Sequence, residues 1–302
     1  MKMAKTQDYP KPGNATSLWN SPRVIANHRA RKRTDAAAKA LVVACVVAVL
    51  VPFADLLYMF AYRGLEAISY ARLVDTTGAF VPGISNAIFG TALLSGLSAL
   101  FAIPLGILGG VYVAEFSRGG RFADALRFAA DILVGVPSIV LGYVGYAVFV
   151  EFFGWGFSAL AAGIVLSIIM FPYIFRTTEI ALRKVPGNIK EGAIALGSTK
   201  TTMVNRLALR FAFPSILTGV LLSVGIALSE TAPVLYTASF ASYNPTTLFQ
   251  PLGYLTGVIW FFYQSYLPAQ VELSYVATFV LILIVLTLNI AARLGLSRFS
   301  KV

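Results

Sequence analysis

Two charged residues one helical turn apart are the first candidates for chemistry in this chain. Arg176 and Glu179 lie in the stretch "YIFRTTEIALR", where a helix would place their side chains next to each other. A guanidinium group binds the oxygens of phosphate or of another oxyanion in a bidentate way. The glutamate could neutralise the arginine whenever no anion is bound. The alternative is that Arg176 only anchors its helix at the membrane surface, as basic residues often do.

A further acid, Glu230, lies near the end of another apolar stretch, in "LSETAPVLYT". Acidic side chains inside membrane spans are costly and are therefore candidates for function. A purely structural, hydrogen-bonded acid is the alternative. Thr231 follows it directly, and Ser138 follows Pro137 in "GVPSI", where the proline interrupts a helix and frees a backbone carbonyl. We take Glu230, Thr231 and Ser138, with the arginine and glutamate above, as candidates for lining a pathway.

A charged segment beginning "IKEGAIALGSTK" separates two apolar stretches and has the signals of two short helices. A helix is predicted over residues 189–196, and Gly197 is a good left-handed terminator. Ser198 or Thr199 is a suitable N-cap for a second helix. A plain solvated loop, which is the alternative, would not need this organisation. Two helices held at a fixed angle indicate a docking surface.

Long apolar helices must position these residues. The chain has 302 residues, a mean hydropathy of +0.77 and only 12 % charged residues, about half the charged fraction of a soluble protein. A membrane span needs roughly 20 apolar residues, and the stretches found do not alternate as barrel strands do. The sequence predicts an all-α, polytopic membrane protein with one domain over residues 38–302 and six spans, over residues 41–60, 87–114, 128–150, 157–175, 211–236 and 273–292.

The positive charges are distributed very unevenly between the connecting segments. With a cytoplasmic N-terminus, 22 of the 24 Lys and Arg residues fall on the inner side, and only Arg63 and Arg72 fall outside. This bias predicts that both termini are cytoplasmic, and it explains the net charge of +11 without nucleic-acid binding. Residues 1–37 are polar and basic, and we expect a disordered tail there. One cysteine and one histidine, Cys45 and His28, cannot form a metal cluster.

Several of these segments resemble a known family. From Glu191, the charged segment is similar to the EAA loop of ABC importer permeases, with Gly192 at a position where alanine is usual, Ala193, and Gly197 six residues after the glutamate. It departs again at Arg210, where proline is usual. "GVPSI", "RTTEIAL" and "SETAPVLYT" resemble the PstA family of phosphate importer permeases, and the similarity runs from about residue 84 to the C-terminus.

The resemblance implies a type I ABC importer permease fold in a prokaryotic plasma membrane, with a coupling loop over residues 180–210. Glu191, Gly192, Ala193 and Gly197 would dock this loop onto an ATPase. The implied partners are a PstC-like sister permease, a PstB-like ATPase dimer that binds ATP and Mg²⁺, and a PstS-like phosphate-binding protein. Glu230 would pair with a basic residue of the sister permease. The sequence has no Walker A motif, so we expect a subunit that is not an enzyme and holds no cofactor.

Three other functions remain open on the sequence alone. The first is the same type of permease carrying molybdate or sulfate. The second is an ion-driven secondary transporter; such proteins often contain internal repeats, and no convincing repeat is found here. The third is a membrane scaffold without transport activity, against which the intramembrane prolines and acids argue mildly.

Overall fold

A computed structural model describes residues 22–78, 82–117 and 119–299, and every regular element in these residues is helical. The first half contains α1 (Pro22–Ala67), α2 (Tyr70–Val74), α3 (Ser85–Val111, extended by a π-helical turn over Tyr112–Phe116), α4 (Arg121–Gly135), α5 (Ser138–Gly145, extended by π-helical turns over Tyr146–Phe152) and α6 (Ala159–Arg183). The second half contains α7 (Gly187–Ala195), α8 (Lys200–Met203, leading through a π-helical turn over Val204–Ala208 into α9), α9 (Leu209–Ser229), α10 (Ala232–Ala238), α11 (Leu255–Tyr263) and α12 (Pro268–Phe299).

Five continuous helical segments in the described residues are long and apolar enough to cross a membrane, and α4 with α5 makes a sixth if this bent pair is one span. This agrees with the six spans predicted. The kink expected at Pro137 is a break, with an angle of 105° between α4 and α5. Val136 before the proline is extended, with φ −77° and ψ 128°, as the proline ring requires of its preceding residue.

Two predictions about helix boundaries are corrected. Disorder was expected over residues 1–37, but α1 begins at Pro22; Ala, Arg and Lys, which favour helix, are frequent there, and proline is well accommodated in a first turn. Residues 1–21 lie outside the described residues. The fifth span was expected to run unbroken over residues 211–236, but α9 ends at Ser229 and the backbone is extended at Glu230 (φ −69°, ψ 134°).

The chain divides into two units, residues 1–59 and residues 60–302. In the first unit, the described side chains from residue 34 to residue 58 are exposed, as expected of an apolar helix surface in lipid. In the second unit α6 is central, because 67 % of its most apolar window is buried, against 39 % or less for the other four continuous spans.

Small residues allow α3 to pack closely along α6. A Cβ on Gly106 would lie 2.7 Å from the side chain of Ile174, and a Cβ on Gly110 would lie 2.6 Å from that of Thr178. Close approach of helix backbones through small residues is the usual basis of helix association in membranes. The buried small residues recur every four positions along α3, at Ser98, Ala102, Gly106 and Gly110.

The last turn of α10 and the segment between α10 and α11 close the N-terminal end of α6. The free N–H groups of Ser158, Ala159 and Leu160 donate hydrogen bonds of 2.9–3.0 Å to carbonyls of residues 237, 250 and 248, which satisfies donors that every helix start leaves unpaired. The following helix α11 has nine residues, far fewer than the roughly 20 needed to span a membrane. The segment between α10 and α12 therefore contains a short helix and not a seventh span.

Candidate functional site

Six charged side chains on α4 and α6 form one connected network, which we call the charged cluster. Its members have the same spacing on both helices, i, i+3 and i+7, so each set lies on one helix face. The signs alternate in opposite order, acid–base–acid on α4 and base–acid–base on α6, which makes the two faces complementary. The members are Asp124, Arg127 and Asp131 on α4, and Arg176, Glu179 and Arg183 on α6.

Glu179 is at the centre of the charged cluster, with a side chain only 5 % exposed. Its Oε1 accepts hydrogen bonds from Arg127 Nε at 2.8 Å and from Arg183 Nε at 3.2 Å, and its Oε2 accepts from Arg176 Nη1 at 3.2 Å. A buried carboxylate is tolerated only when charge partners and donors compensate its lost hydration. Three arginines provide that compensation here, and the expected pairing of Arg176 with Glu179 is present.

Arg176 is shared between two acids. Besides its bond to Glu179, its Nε donates to Asp131 Oδ1 at 3.1 Å. The Asp131 side chain is 59 % exposed and that of Arg176 is 33 % exposed, so this side of the guanidinium faces open space. Its Nη2 also donates to both carboxylate oxygens of Asp131, so this pair is bidentate, but it lies at the exposed edge of the charged cluster. The guanidinium could therefore exchange the Asp131 carboxylate for another anion while the buried Glu179 keeps its other two partners.

The other three pathway candidates meet elsewhere, where two broken helices contact each other. The Ser138 hydroxyl, at the start of α5, interacts with the Glu230 carboxyl group at the end of α9. Thr231 is the N-cap residue of α10. A Cβ on Gly142 would lie 2.6 Å from Pro233 Cα, so α5 and α10 are in backbone contact. Both helix breaks lie in this region, which we call the break site.

A small cavity of mixed polar and apolar lining adjoins the break site, with Ser95, Glu230 and Tyr254 among the residues that line it. The Glu230 carbonyl accepts a hydrogen bond from Thr256 Oγ1 at 2.9 Å, so the broken end of α9 is partly satisfied. The Tyr254 hydroxyl is buried and has no hydrogen-bond partner among the described residues, and its burial raises its pKa.

The charged segment after α6 folds as the sequence predicts. Gly197 has φ +87°, a left-handed conformation that glycine adopts without strain. Its N–H bonds the Ile194 carbonyl at 2.9 Å, and the Ser198 N–H bonds the Ala193 carbonyl at 3.1 Å. These two bonds are a Schellman motif, which ends α7 and turns the chain sharply. Thr199 then caps α8 by accepting a hydrogen bond from the Thr202 N–H.

The outer face of this elbow, meaning α7 with the turn at Gly197, carries apolar side chains in open contact with solvent. Leu196 is 90 % exposed and Ile194 is 49 % exposed. Glu191 is exposed on the same helix, and a Cβ on Gly192 would have no neighbour within 4 Å. Ala193 differs, because it packs inward against the buried cluster formed by the ends of α6 and α9. The elbow is therefore anchored on one side and free on the other.

Sequence reasoning missed the α4 half of the charged cluster. The sequence analysis gave Asp131 no role, and it included Arg127 only in the count of 22 basic residues on the inner side. The signal that could have found them is the shared spacing of charges, at residues 124, 127 and 131 and again at residues 176, 179 and 183, with opposite order of sign. Such a match predicts that the two helices pack with these faces together.

The amino-acid sequence and the fold were then compared with known proteins. Residues 102–301 match the family described as binding-protein-dependent transport system inner membrane component. Solved structures with a similar fold include an inward-facing MetNI methionine ABC transporter, with a TM-score of 0.59, 19 % identity, and coverage of 72 % of this chain and 95 % of that one. A bacterial alginate ABC transporter in complex with its periplasmic protein gives a TM-score of 0.63 at 17 % identity, with coverage of 86 % and 95 %. At these identities the likeness shows the fold, which is that of type I ABC importer permeases.

Curated relatives are closer in sequence. The chain is 39 % identical over 275 residues to the phosphate transport system permease protein PstA 2 of Mycobacterium bovis, with coverage of 90 % of this chain and 91 % of the relative. It is 34 % identical over 245 residues to PstA of Yersinia pestis, with coverage of 79 % and 81 %. The chain belongs to the family of binding-protein-dependent inner membrane transport components, and within that family to the PstA permeases.

Proposed function

We propose that this chain is the membrane-spanning permease subunit of an ATP-driven importer of inorganic phosphate. The observation that carries the proposal is the 39 % identity, across nine-tenths of the chain, to a protein named as a phosphate transport permease. The elbow supports the ATP-driven part, since it presents an apolar surface at a fixed angle outside the membrane bundle. The charged cluster supports the anionic substrate, since it offers a partly exposed guanidinium.

The elbow would be the coupling element. Leu196 and Ile194 would insert into a groove of a separate ATPase subunit, because exposed apolar side chains of this size gain free energy when a partner covers them. Glu191 would contribute a polar contact at the rim of that interface. When the ATPase dimer closes on ATP, the elbow would move with it and carry the attached ends of α6 and α9. This chain would supply no ATPase chemistry itself.

Arg176 would bind phosphate while the anion crosses the membrane. Its bonds to the exposed Asp131 are the ones that an incoming phosphate dianion could replace, because two of the tetrahedral oxygens of phosphate can accept from the guanidinium fork as a carboxylate does, with more charge. Glu179 would then remain satisfied by Arg127 and Arg183. At the break site, the hydroxyl groups of Ser138 and Thr231 would provide neutral polar contacts. Glu230 would pair with a basic residue of the sister permease, since it would otherwise repel the substrate.

The partners follow from this arrangement. We expect a PstC-like sister permease as the second half of the pathway, a PstB-like ATPase dimer with ATP and Mg²⁺ on the inner side, and a PstS-like phosphate-binding protein on the outer side. The complex would lie in a prokaryotic plasma membrane, with both termini of this chain in the cytoplasm. Because Cys45 is the only cysteine, orientation can be tested in a Cys45→Ser background. An impermeant maleimide should not label Leu196→Cys in intact cells; labelling would place the elbow outside and refute the coupling role.

Transport by the reconstituted complex tests the substrate. Proteoliposomes with all partners should take up labelled phosphate only when ATP is present, and a tenfold excess of sulfate or molybdate should leave the rate nearly unchanged. Equal competition by either oxyanion would assign the chain to another oxyanion importer. Uptake that persists without the ATPase subunit would favour an ion-driven secondary transporter.

A further inference from the structure

Two lysines of the elbow region reach the same short turn at the end of α3. Lys190 Nζ lies 2.5 Å from Glu115 Oε1 and also donates to the Leu182 carbonyl at 3.0 Å. Lys200 Nζ lies 5.5 Å from the ring centroid of Phe116, within the range of a cation–π interaction. The two lysines flank Gly197 on either side, and their targets are adjacent residues. We call this set of contacts the lysine clamp.

The ion pair in the clamp is largely withdrawn from solvent. The Glu115 side chain is 6 % exposed and that of Lys190 is 18 % exposed. Among the described residues, Glu115 has no other basic partner within ion-pair distance. A carboxylate buried to this degree is strongly destabilised when its only counter-ion is removed. The ion pair therefore holds α7 against α3 in a defined position.

A π-helical turn explains how Glu115 comes to face the elbow. The last turn of α3 is wider than an α-helical one, and the Ser117 N–H bonds the Tyr112 carbonyl at 2.8 Å, five residues back. The insertion of such a turn rotates the residues after it relative to a regular helix. Glu115 is five residues after Gly110, which contacts α6, and the Glu115 side chain is also buried. The wide turn keeps Glu115 on the α6 side of α3, where Lys190 is located.

The clamp joins segments that are far apart in the chain. The elbow is covalently continuous with α6 before it and with α9 after it, whereas Glu115 and Lys190 are 75 residues apart. Lys190 also binds the Leu182 carbonyl near the end of α6, so one ammonium group ties α3, α6 and α7 together. Because α3 already packs along α6 through its small residues, the three helices form one mechanically connected body.

We propose that Lys190 and Glu115 are positioning residues that transmit movement of the elbow directly to α3. This inference rests on the proposed function, because it assumes that an ATPase drives the elbow. Without the clamp, α7 could pivot about its covalent joints when the ATPase closes, and part of the ATPase movement would be lost. The clamp makes the span α3, as well as α6 and α9, follow the elbow. Lys200 adds a weaker second contact to the same end of α3.

The test uses the complete transporter with Glu115→Gln, Lys190→Met and the charge exchange Glu115→Lys with Lys190→Glu. Lys184→Met is the matched control, because Lys184 is an exposed lysine in the same region without an ion pair among the described residues. Hydrogen exchange of the amides of residues 187–197 is measured in the assembled, nucleotide-free complex. In the two single variants, the amide hydrogens of these residues should exchange about fivefold faster or more than in the wild type. The double variant with the two charges swapped should recover most of the wild-type protection.

Coupling is measured on the same preparations as ATP molecules hydrolysed per phosphate imported. The ratio should rise several-fold in Glu115→Gln and Lys190→Met and stay at the wild-type value in Lys184→Met. Unchanged amide exchange in Glu115→Gln would show that the clamp does not hold α7 and would overturn the proposal. Faster exchange with an unchanged ratio would also overturn it, because the clamp would then be structural only. If the wild-type complex failed to import phosphate, the proposed function would fall, while the exchange data would still decide whether the clamp exists.

Discussion

The elbow allows a comparison between two glycines that differ in one respect. Gly192 and Gly197 are five residues apart, and a Cβ on either would have no neighbour within 4 Å. Only Gly197 has a positive φ, at +87°, while Gly192 lies within α7. Gly197→Ala therefore adds backbone strain without a steric clash, at a cost of about 1–2 kcal/mol for an L-residue in the left-handed region. Gly192→Ala is expected to stabilise α7 by up to about 1 kcal/mol.

The strain in Gly197→Ala should appear as lost ATPase affinity. If docking needs the native angle of the elbow, a penalty of about 1–2 kcal/mol lowers the population of the docking-competent form, and the apparent affinity falls about 5–30-fold. The assay is the Kd of the permease pair in nanodiscs for the purified ATPase subunit. Gly192→Ala should bind the ATPase subunit with the wild-type Kd. Gly197→Asn should have a Kd between those of the wild type and Gly197→Ala, because asparagine tolerates this conformation better than alanine does. Equal binding by the two alanine variants, with thermal stability unchanged, would refute the argument that the Schellman turn sets the docking angle.

Three further predictions concern the membrane bundle. Glu179→Gln should lower the free energy of unfolding, measured by thermal unfolding, by about 3 kcal/mol. This is the low end for breaking a buried ion pair, because the arginine partners of Glu179 are 23–53 % exposed. As the control, Asp124→Asn changes a side chain that is 66 % exposed and should cost less than about 1 kcal/mol in the same assay. Gly110→Ala should destabilise by about 1–3 kcal/mol, since its Cβ would lie 2.6 Å from a threonine on α6, whereas Gly96→Ala, with no neighbour within 4 Å, should be neutral or stabilising. Arg176→Lys should reduce phosphate uptake roughly tenfold although the charge is kept, because an ammonium lacks the planar fork for two acceptors; uptake at the wild-type rate would remove Arg176 from the pathway.

The parts of the fold that depend on neighbouring residues were predictable from the sequence. The elbow is the best example, since its terminator at Gly197 and its cap at Thr199 act within one or two turns of the chain. The spans were predictable for a similar reason, because hydrocarbon imposes a minimum apolar length on each of them. The break at Glu230 was missed because the apolar stretch continues through it; only the acid and Pro233 just beyond it hint at a change of direction.

Contacts between distant helices were harder to foresee. The pairing of Arg176 with Glu179 follows from spacing on one helix, but the bonds to Arg127 and Asp131 require knowing that α4 packs on α6. The pair between Lys190 and Glu115 has no visible sequence signal, because the π-helical turn at the end of α3 changes which residue faces the elbow. A regular helix projected from the same sequence would assign Glu115 to the wrong face.

The bent pair α4 and α5 connects the two groups of pathway candidates. The α4 arm carries Asp131, which binds the guanidinium of Arg176, and the α5 arm begins with Ser138, which contacts Glu230. Between them lies the 105° break at Pro137, and a break between two short helices can absorb a change of angle that a continuous helix would resist. A movement of α6 would reach the charged cluster through the bonds of Arg176 and Glu179 to α4. It would reach the break site through the packing of α6 against α5, α9 and α10. Because the joint at Pro137 lets α4 and α5 change their mutual angle, the arginine contact and the neutral polar contacts can open in sequence. A pathway requires this if it must bind an anion at one point and release it at the next.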